Sequence, residues 1–98
     1  MSYIKVRWLH SLEGEPYEIL LELDRERYEL RKIEKFKNGE IGFCSGSIDC
    51  NSSGLSELPV PSLDEINCDK QFIAESMSIE AFEDEWGRAL HAGSERDN

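Results

Sequence analysis

Ninety-eight residues leave room for one modest hydrophobic core and no second one. Apolar residues are 39% and charged residues 33% of the chain, the balance of a globular domain and not of a membrane protein or a disordered acidic tail. With 11 basic against 21 acidic residues the formal net charge is -10, which argues against a general nucleic-acid binder, because phosphate binding needs a positive face.

Ile4, Val6 and Trp8 alternate with Tyr3, Lys5 and Arg7, the period of a half-buried strand. SLEGEP at 11–16 reads as a connection. Tyr17, Ile19, Leu21 and Leu23 then alternate with Glu18, Leu20 and Glu22, so the first two strands predict a hairpin. Asp24-Arg25-Glu26-Arg27 is a polar turn. A third strand falls near 28–37, with imperfect alternation: Tyr28 and Leu30 share parity with Phe36, whereas Ile33 does not. A bulge near Arg31–Lys32 returns Ile33 to the apolar face and puts Phe36 out of phase; periodicity leaves open which of the two faces the core. Asn38-Gly39 suits a two-residue type I′ turn pairing Lys37 with Glu40 and Phe36 with Ile41, before a fourth strand near 40–45.

SGSIDCNSSGLS at 45–56 reads as a mobile loop. Leu58-Pro59-Val60-Pro61 is extended, because each residue before a proline is pushed out of the helical region. Ser62-Leu63-Asp64-Glu65 matches a capping box and predicts a short helix over 63–68 with Leu63 and Ile66 inward. QFIAESM at 71–77 is a short strand or an extended segment. Ser78 caps a last helix whose Ile79, Phe82, Trp86 and Leu90 share one face, with Glu80, Asp84 and Glu85 turned outward. Gly87 inside that helix costs roughly 1 kcal/mol against alanine. The resulting expectation is an α+β domain over 1–92, with a flexible tail at 93–98. Its four- to five-stranded, mainly antiparallel sheet is packed on one face by the C-terminal helix and the short helix.

Charge is unevenly placed. Residues 1–37 carry 8 basic and 8 acidic side chains, whereas residues 38–98 carry 3 basic and 13 acidic ones, so the whole excess lies in the C-terminal part. The interleaved charges over 22–37 read as a cross-strand ion-pair lattice. The excess reads either as a solvated surface or as a face that steers a basic protein partner toward it. On the second reading the partner-binding residues are Asp64, Glu65 and Asp69 on the short helix and Glu80, Asp84 and Glu85 on the last. Tyr3 and Phe36 are the aromatics whose parity leaves room for exposure, where an aromatic beside acids would anchor a partner.

Catalytic and metal-binding patterns are missing from the sequence. Cys44, Cys50 and Cys68 with His10 and His91 offer N and S ligands, but C-x5-C followed by a distant cysteine fits no zinc knuckle. Nothing in the sequence brings a base to a cysteine for nucleophilic chemistry. The buried positions are apolar, so no carboxylate pair is set up for acid–base work, and GFCSGS matches neither a nucleophile elbow nor a phosphate loop. No catalytic residue, metal or cofactor is expected. No apolar run approaches the ~20 residues of a membrane span, and the N-terminus lacks the continuous apolar stretch of a signal peptide. An odd number of cysteines without an export signal points to reduced thiols in a cytoplasm.

YIKVRWLH at 3–10, EPYEILLELDRERYELRKIEKFKNGEIGF at 15–43, LPVPSLDEIN at 58–67 and MSIEAFEDEW at 77–86 together resemble a family of small bacterial cytoplasmic domains of unknown function. The resemblance covers most of the chain and diverges in the Ser/Gly loop. It implies a stand-alone domain without a catalytic motif, and some members are similar to immunity proteins encoded beside toxins. The expected function is a non-enzymatic acidic binding protein, an immunity protein that neutralises a basic, nuclease-type toxin domain. The alternatives are a regulatory interaction module with a neutral partner and an enzyme whose site the sequence does not reveal.

Overall fold

The computed structural model describes residues 1–46 and 54–96. Most of the loop expected over 45–56, Cys50 included, lies outside the described residues. Strands β1 (Ser2–Trp8), β2 (Glu18–Leu23), β3 (Glu29–Lys35) and β4 (Ile41–Ser45) pair successively, each antiparallel to the one before. After α1 (Leu63–Asn67), strand β5 (Phe72–Ser76) returns antiparallel to β1, and α2 (Ile79–Arg96) follows. The sheet has five strands in the order β4-β3-β2-β1-β5. The fold is α+β, as expected. α2 continues beyond residue 92, where composition suggests an end.

The two helices take opposite faces of the sheet, not the single face expected from the sequence. Ile4 lies opposite Leu21, and Val6 opposite both Ile19 and Ala74. These residues share a core with Leu63 and Ile66 of α1. Leu20 neighbours Leu21 and so points the other way, into a second core with Ile33, Phe82, Trp86 and Ala89. β2 is the cause: Leu20, Leu21 and Leu23 are all buried. A strand apolar at both parities has to be covered on both sides.

Local signals fix the helix starts. Ser62 Oγ accepts from the Glu65 N–H at 3.2 Å, which is the N-cap half of the expected capping box, but Glu65 Oε1 reaches back to the Ser62 hydroxyl at 3.2 Å and not to its backbone N–H. Ser78 Oγ accepts from the Ala81 N–H at 3.1 Å, capping α2. The buried stripe of α2 differs from the expected one: Phe82, Trp86 and Ala89 are 0%, 9% and 1% exposed, whereas Ile79 and Leu90 are 49% and 37% exposed. The helix is rotated so that Phe82, Trp86 and Ala89 meet Leu20 and Ile33, and this turns half-buried Glu85 to the sheet, where it binds Lys35 at 2.9 Å.

The β3 irregularity sits at Leu30. Glu22 is opposite Arg31, but Leu23 is opposite Glu29, so Leu30 is the extra residue of a bulge. This puts Ile33 in the core and leaves half-buried Phe36 in the turn beyond β3. The β3–β4 turn also differs from expectation. The Gly39 N–H donates to the Phe36 carbonyl and the Phe36 N–H to the Glu40 carbonyl, both at 3.0 Å. The loop is therefore residues 37–39, Lys35 is opposite Ile41, and only Gly39 in the loop has positive φ, at 90°. A type I′ turn would require Asn38 there as well.

Candidate protein-binding site

Most of the sheet's cations are already engaged. Arg31 lies under α2 and holds two carboxylates. Its Nε and Nη2 donate to Glu22 at 2.7 and 2.9 Å. Its Nη1 and Nη2 donate to Glu83 at 2.9 and 2.8 Å. The guanidinium carbon sits 5.0 Å from the Phe82 ring centroid and 5.1 Å from that of Trp86. Tyr3 Oη donates to Glu22 Oε2 at 2.7 Å, and its ring packs 5.2 Å from Phe82. Tyr3 is thus tied inward and is not the exposed anchor that its parity allowed. The Arg31 hydrogen bonds hold the carboxyls of Glu22 and Glu83 below the usual carboxylate range, and the bond to Glu22 raises the Tyr3 phenol above its own. Arg31 is raised in turn by Glu22 and Glu83. Bidentate binding on both sides makes this unit a bolt between sheet and helix.

Other cations are similarly engaged. Lys35 binds Glu85 at 2.9 Å, Lys32 binds Glu29 at 3.0 Å, and Lys5 lies 3.9 Å from Glu18 and 4.0 Å from Glu75. Arg27 has a left-handed backbone, φ 70°, which is uncommon without a glycine. Its side chain donates to the carbonyls of Val60 at 2.9 Å and Pro61 at 2.7 Å, and its own carbonyl accepts from the Val60 N–H at 2.8 Å. Arg27 thereby pins the extended segment that leads into α1.

The six acids expected to form one binding face are divided by the sheet. Asp64, Glu65 and Asp69 lie on or just after α1; Glu80, Asp84 and Glu85 lie on α2, across the molecule. Asp64, Glu65, Asp69, Glu80 and Asp84 are exposed and pair with no cation among the described residues. Glu85 does not point outward as expected: it is half-buried and bound by Lys35 and, at 3.4 Å, by Arg88. The division follows from the covering of both sheet faces, which separates any two helices placed one on each.

Among the described residues no group of three or more His, Cys, Asp or Glu is arranged to hold a metal. Cys44 is a buried thiol in β4, and Cys68 is an exposed one after α1. His10 is built into the β1–β2 connection. Its Nδ1 accepts from the Leu12 N–H at 2.9 Å, which leaves Nε2 to donate to the Pro16 carbonyl at 2.8 Å, and its ring lies 4.2 Å from Trp8. Burial raises the Glu34 carboxyl on the α1 face.

Sequence reasoning foresaw an ion-pair lattice but not its centre. Glu22 and Arg31 stand opposite each other once the β2–β3 hairpin is registered with its bulge, so that pair was within reach. Glu83 and the Arg27 clamp depend on how helix and connection lie against the sheet, which no spacing encodes.

No helix among the described residues is long and apolar enough to cross a membrane. Comparison with curated proteins and with solved structures finds no match. A family model described as Domain of unknown function (DUF6881) matches residues 2–91, and the chain belongs to that family.

Proposed function

We propose that this protein is a non-enzymatic binding protein for a basic protein partner, acting in the cytoplasm as the immunity protein of a nuclease-type toxin domain. The observation that carries the reading is the unequal state of its charges. Arg31, Lys32 and Lys35 are held in ion pairs on the sheet, while Asp64, Asp69, Glu80 and Asp84 stand exposed without a cation among the described residues. A nuclease must present a basic surface to nucleic acid, and an acidic inhibitor can occupy that surface. Such a role needs no cofactor.

The test is co-expression with the toxin domain encoded by the neighbouring reading frame, followed by binding of the purified pair at rising salt. Restored growth, with a complex that weakens steeply as salt rises, is the expected result. Growth arrest with no complex at low salt would overturn the reading.

A further inference from the structure

We propose that the groove beside α1 receives an apolar side chain of the basic partner, flanked there by lysine or arginine; this deepens the binding reading above and rests on it. The groove has a volume of about 380 Å³, at the small end of ligand sites. Val6, Ile19 and Leu21 line it from the sheet, with Ile66 and Phe72 beside them. Its Val60–Pro61 wall is the segment that Arg27 holds through both carbonyls, so that wall is fixed before any partner arrives.

The groove exists because α1 is only five residues long. One and a half turns cannot cover the strand face that long α2 covers on the other side. Ile19, Ile66 and Phe72 are consequently left half-buried.

Charge identifies the occupant. Lys32 stands at the groove but is neutralised by Glu29 at 3.0 Å and donates to the Gly54 carbonyl at 2.8 Å. Glu65 and Asp69 are the lining charges left uncompensated among the described residues. Glu65 Oε1 accepts from Ser62 Oγ and Asp69 Oδ1 from the Gln71 N–H at 2.9 Å, so both keep their charge without a cation. An apolar floor beside two such carboxylates favours an apolar side chain with a cation next to it and disfavours an acidic one. The shallow hollow on the outside of α2, lined by Glu83, Asp84, Arg88 and His91, offers mixed charge and no comparable apolar floor.

The experiment is an amide NMR titration of the whole chain with three acetylated and amidated pentapeptides: Gly-Lys-Phe-Lys-Gly, Gly-Glu-Phe-Glu-Gly and Gly-Lys-Ala-Lys-Gly. The expected result is saturable shifts at Val6, Leu21, Ile66 and Phe72 with the first. The acidic peptide and the alanine peptide should each bind at least about tenfold more weakly. Glu65→Gln with Asp69→Asn keeps the hydrogen-bond acceptors and should leave the melt unchanged while erasing the preference for the basic peptide. Equal binding of the acidic or the alanine peptide, or a preference that survives the double variant, would overturn the groove proposal. Shifts confined to Glu80, Asp84 and His91 would overturn the groove and leave the basic-partner reading standing. No shift with either basic peptide would count against both.

Discussion

The two faces of the sheet share a backbone and differ in how they are closed. On one, α2 lays Phe82, Trp86 and Ala89 over Leu20 and Ile33, with Phe43 5.8 Å from Trp86 in edge contact. Arg31 bolts the helix down through Glu22 and Glu83. On the other, α1 brings only Leu63 and Ile66 to Ile4, Val6, Leu21 and Leu23, and a groove remains. A long helix with aromatic anchors seals its side and serves stability. A short helix leaves apolar surface next to Glu65 and Asp69, which pair with no cation among the described residues, a composition that suits a docking surface. On the proposed reading, the α2 face serves as scaffold and the α1 face, with its groove, is where the basic partner is recognised.

The largest effect that would break this comparison falls on Trp86. Trp86→Ala empties the space between Phe43 and Phe82 and should cost about 3–5 kcal/mol in urea unfolding, a large fraction of the stability of a domain this small. A variant that unfolds at the parent's midpoint would mean that α2 does not seal the sheet.

Next in size is the bolt. Glu22→Gln leaves Arg31 with one charged partner and should cost about 1.5–3 kcal/mol at neutral pH. The acid dependence has a definite sign. Glu22 and Glu83 are lowered in the fold by Arg31, so their stabilisation is complete above the unfolded carboxyl value of about 4.3. It is lost as pH falls through their folded values. Glu34 is raised by burial and acts oppositely, its cost fading on acidification. Melting midpoints from neutral to acid pH should therefore fall less steeply in Glu22→Gln than in the parent. Parallel curves would take Glu22 out of the account.

How much of this was legible depends on the range of the signal. Ser62 and Ser78 announce both helix starts through contacts three residues away, and both caps form. The strands follow from alternation because pleating is local. Leu20 was the sign of a second covered face, an apolar residue on the parity otherwise occupied by Glu18 and Glu22, and it outranked the simpler one-face packing. The Asn38-Gly39 turn was legible in place but not in type, since Asn-Gly also serves a three-residue loop with glycine at the positive-φ position. Glu85 could not be read as inward-facing, because its partner Lys35 is fifty positions away in the chain and meets it only through the packing of α2. The groove was equally hidden, being what α1 fails to cover.

Two smaller effects sharpen the comparison. Gly39→Val places a branched residue at φ 90° and should cost about 1–3 kcal/mol. Unchanged melting would remove the three-residue loop from the β3–β4 hairpin. Gly87 sits inside α2 facing solvent, and a Cβ built on it meets nothing within 4 Å. Gly87→Ala should stabilise by about 0.5–1 kcal/mol and leave partner binding unchanged, as a scaffold face requires. Lost binding with gained stability would move recognition to α2.

The division of labour between the faces is tested most directly by two charge reversals compared on one partner. Glu65→Lys with Asp69→Lys alters the groove; Glu80→Lys with Asp84→Lys alters the outside of α2 by the same charge. With both variants shown by their melts to be folded, association with the cognate basic partner is measured at low and at physiological salt. The groove pair should slow association at least about tenfold more than the α2 pair does, and should flatten its salt dependence more. A larger loss from the α2 pair, or equal losses from both, would contradict this division.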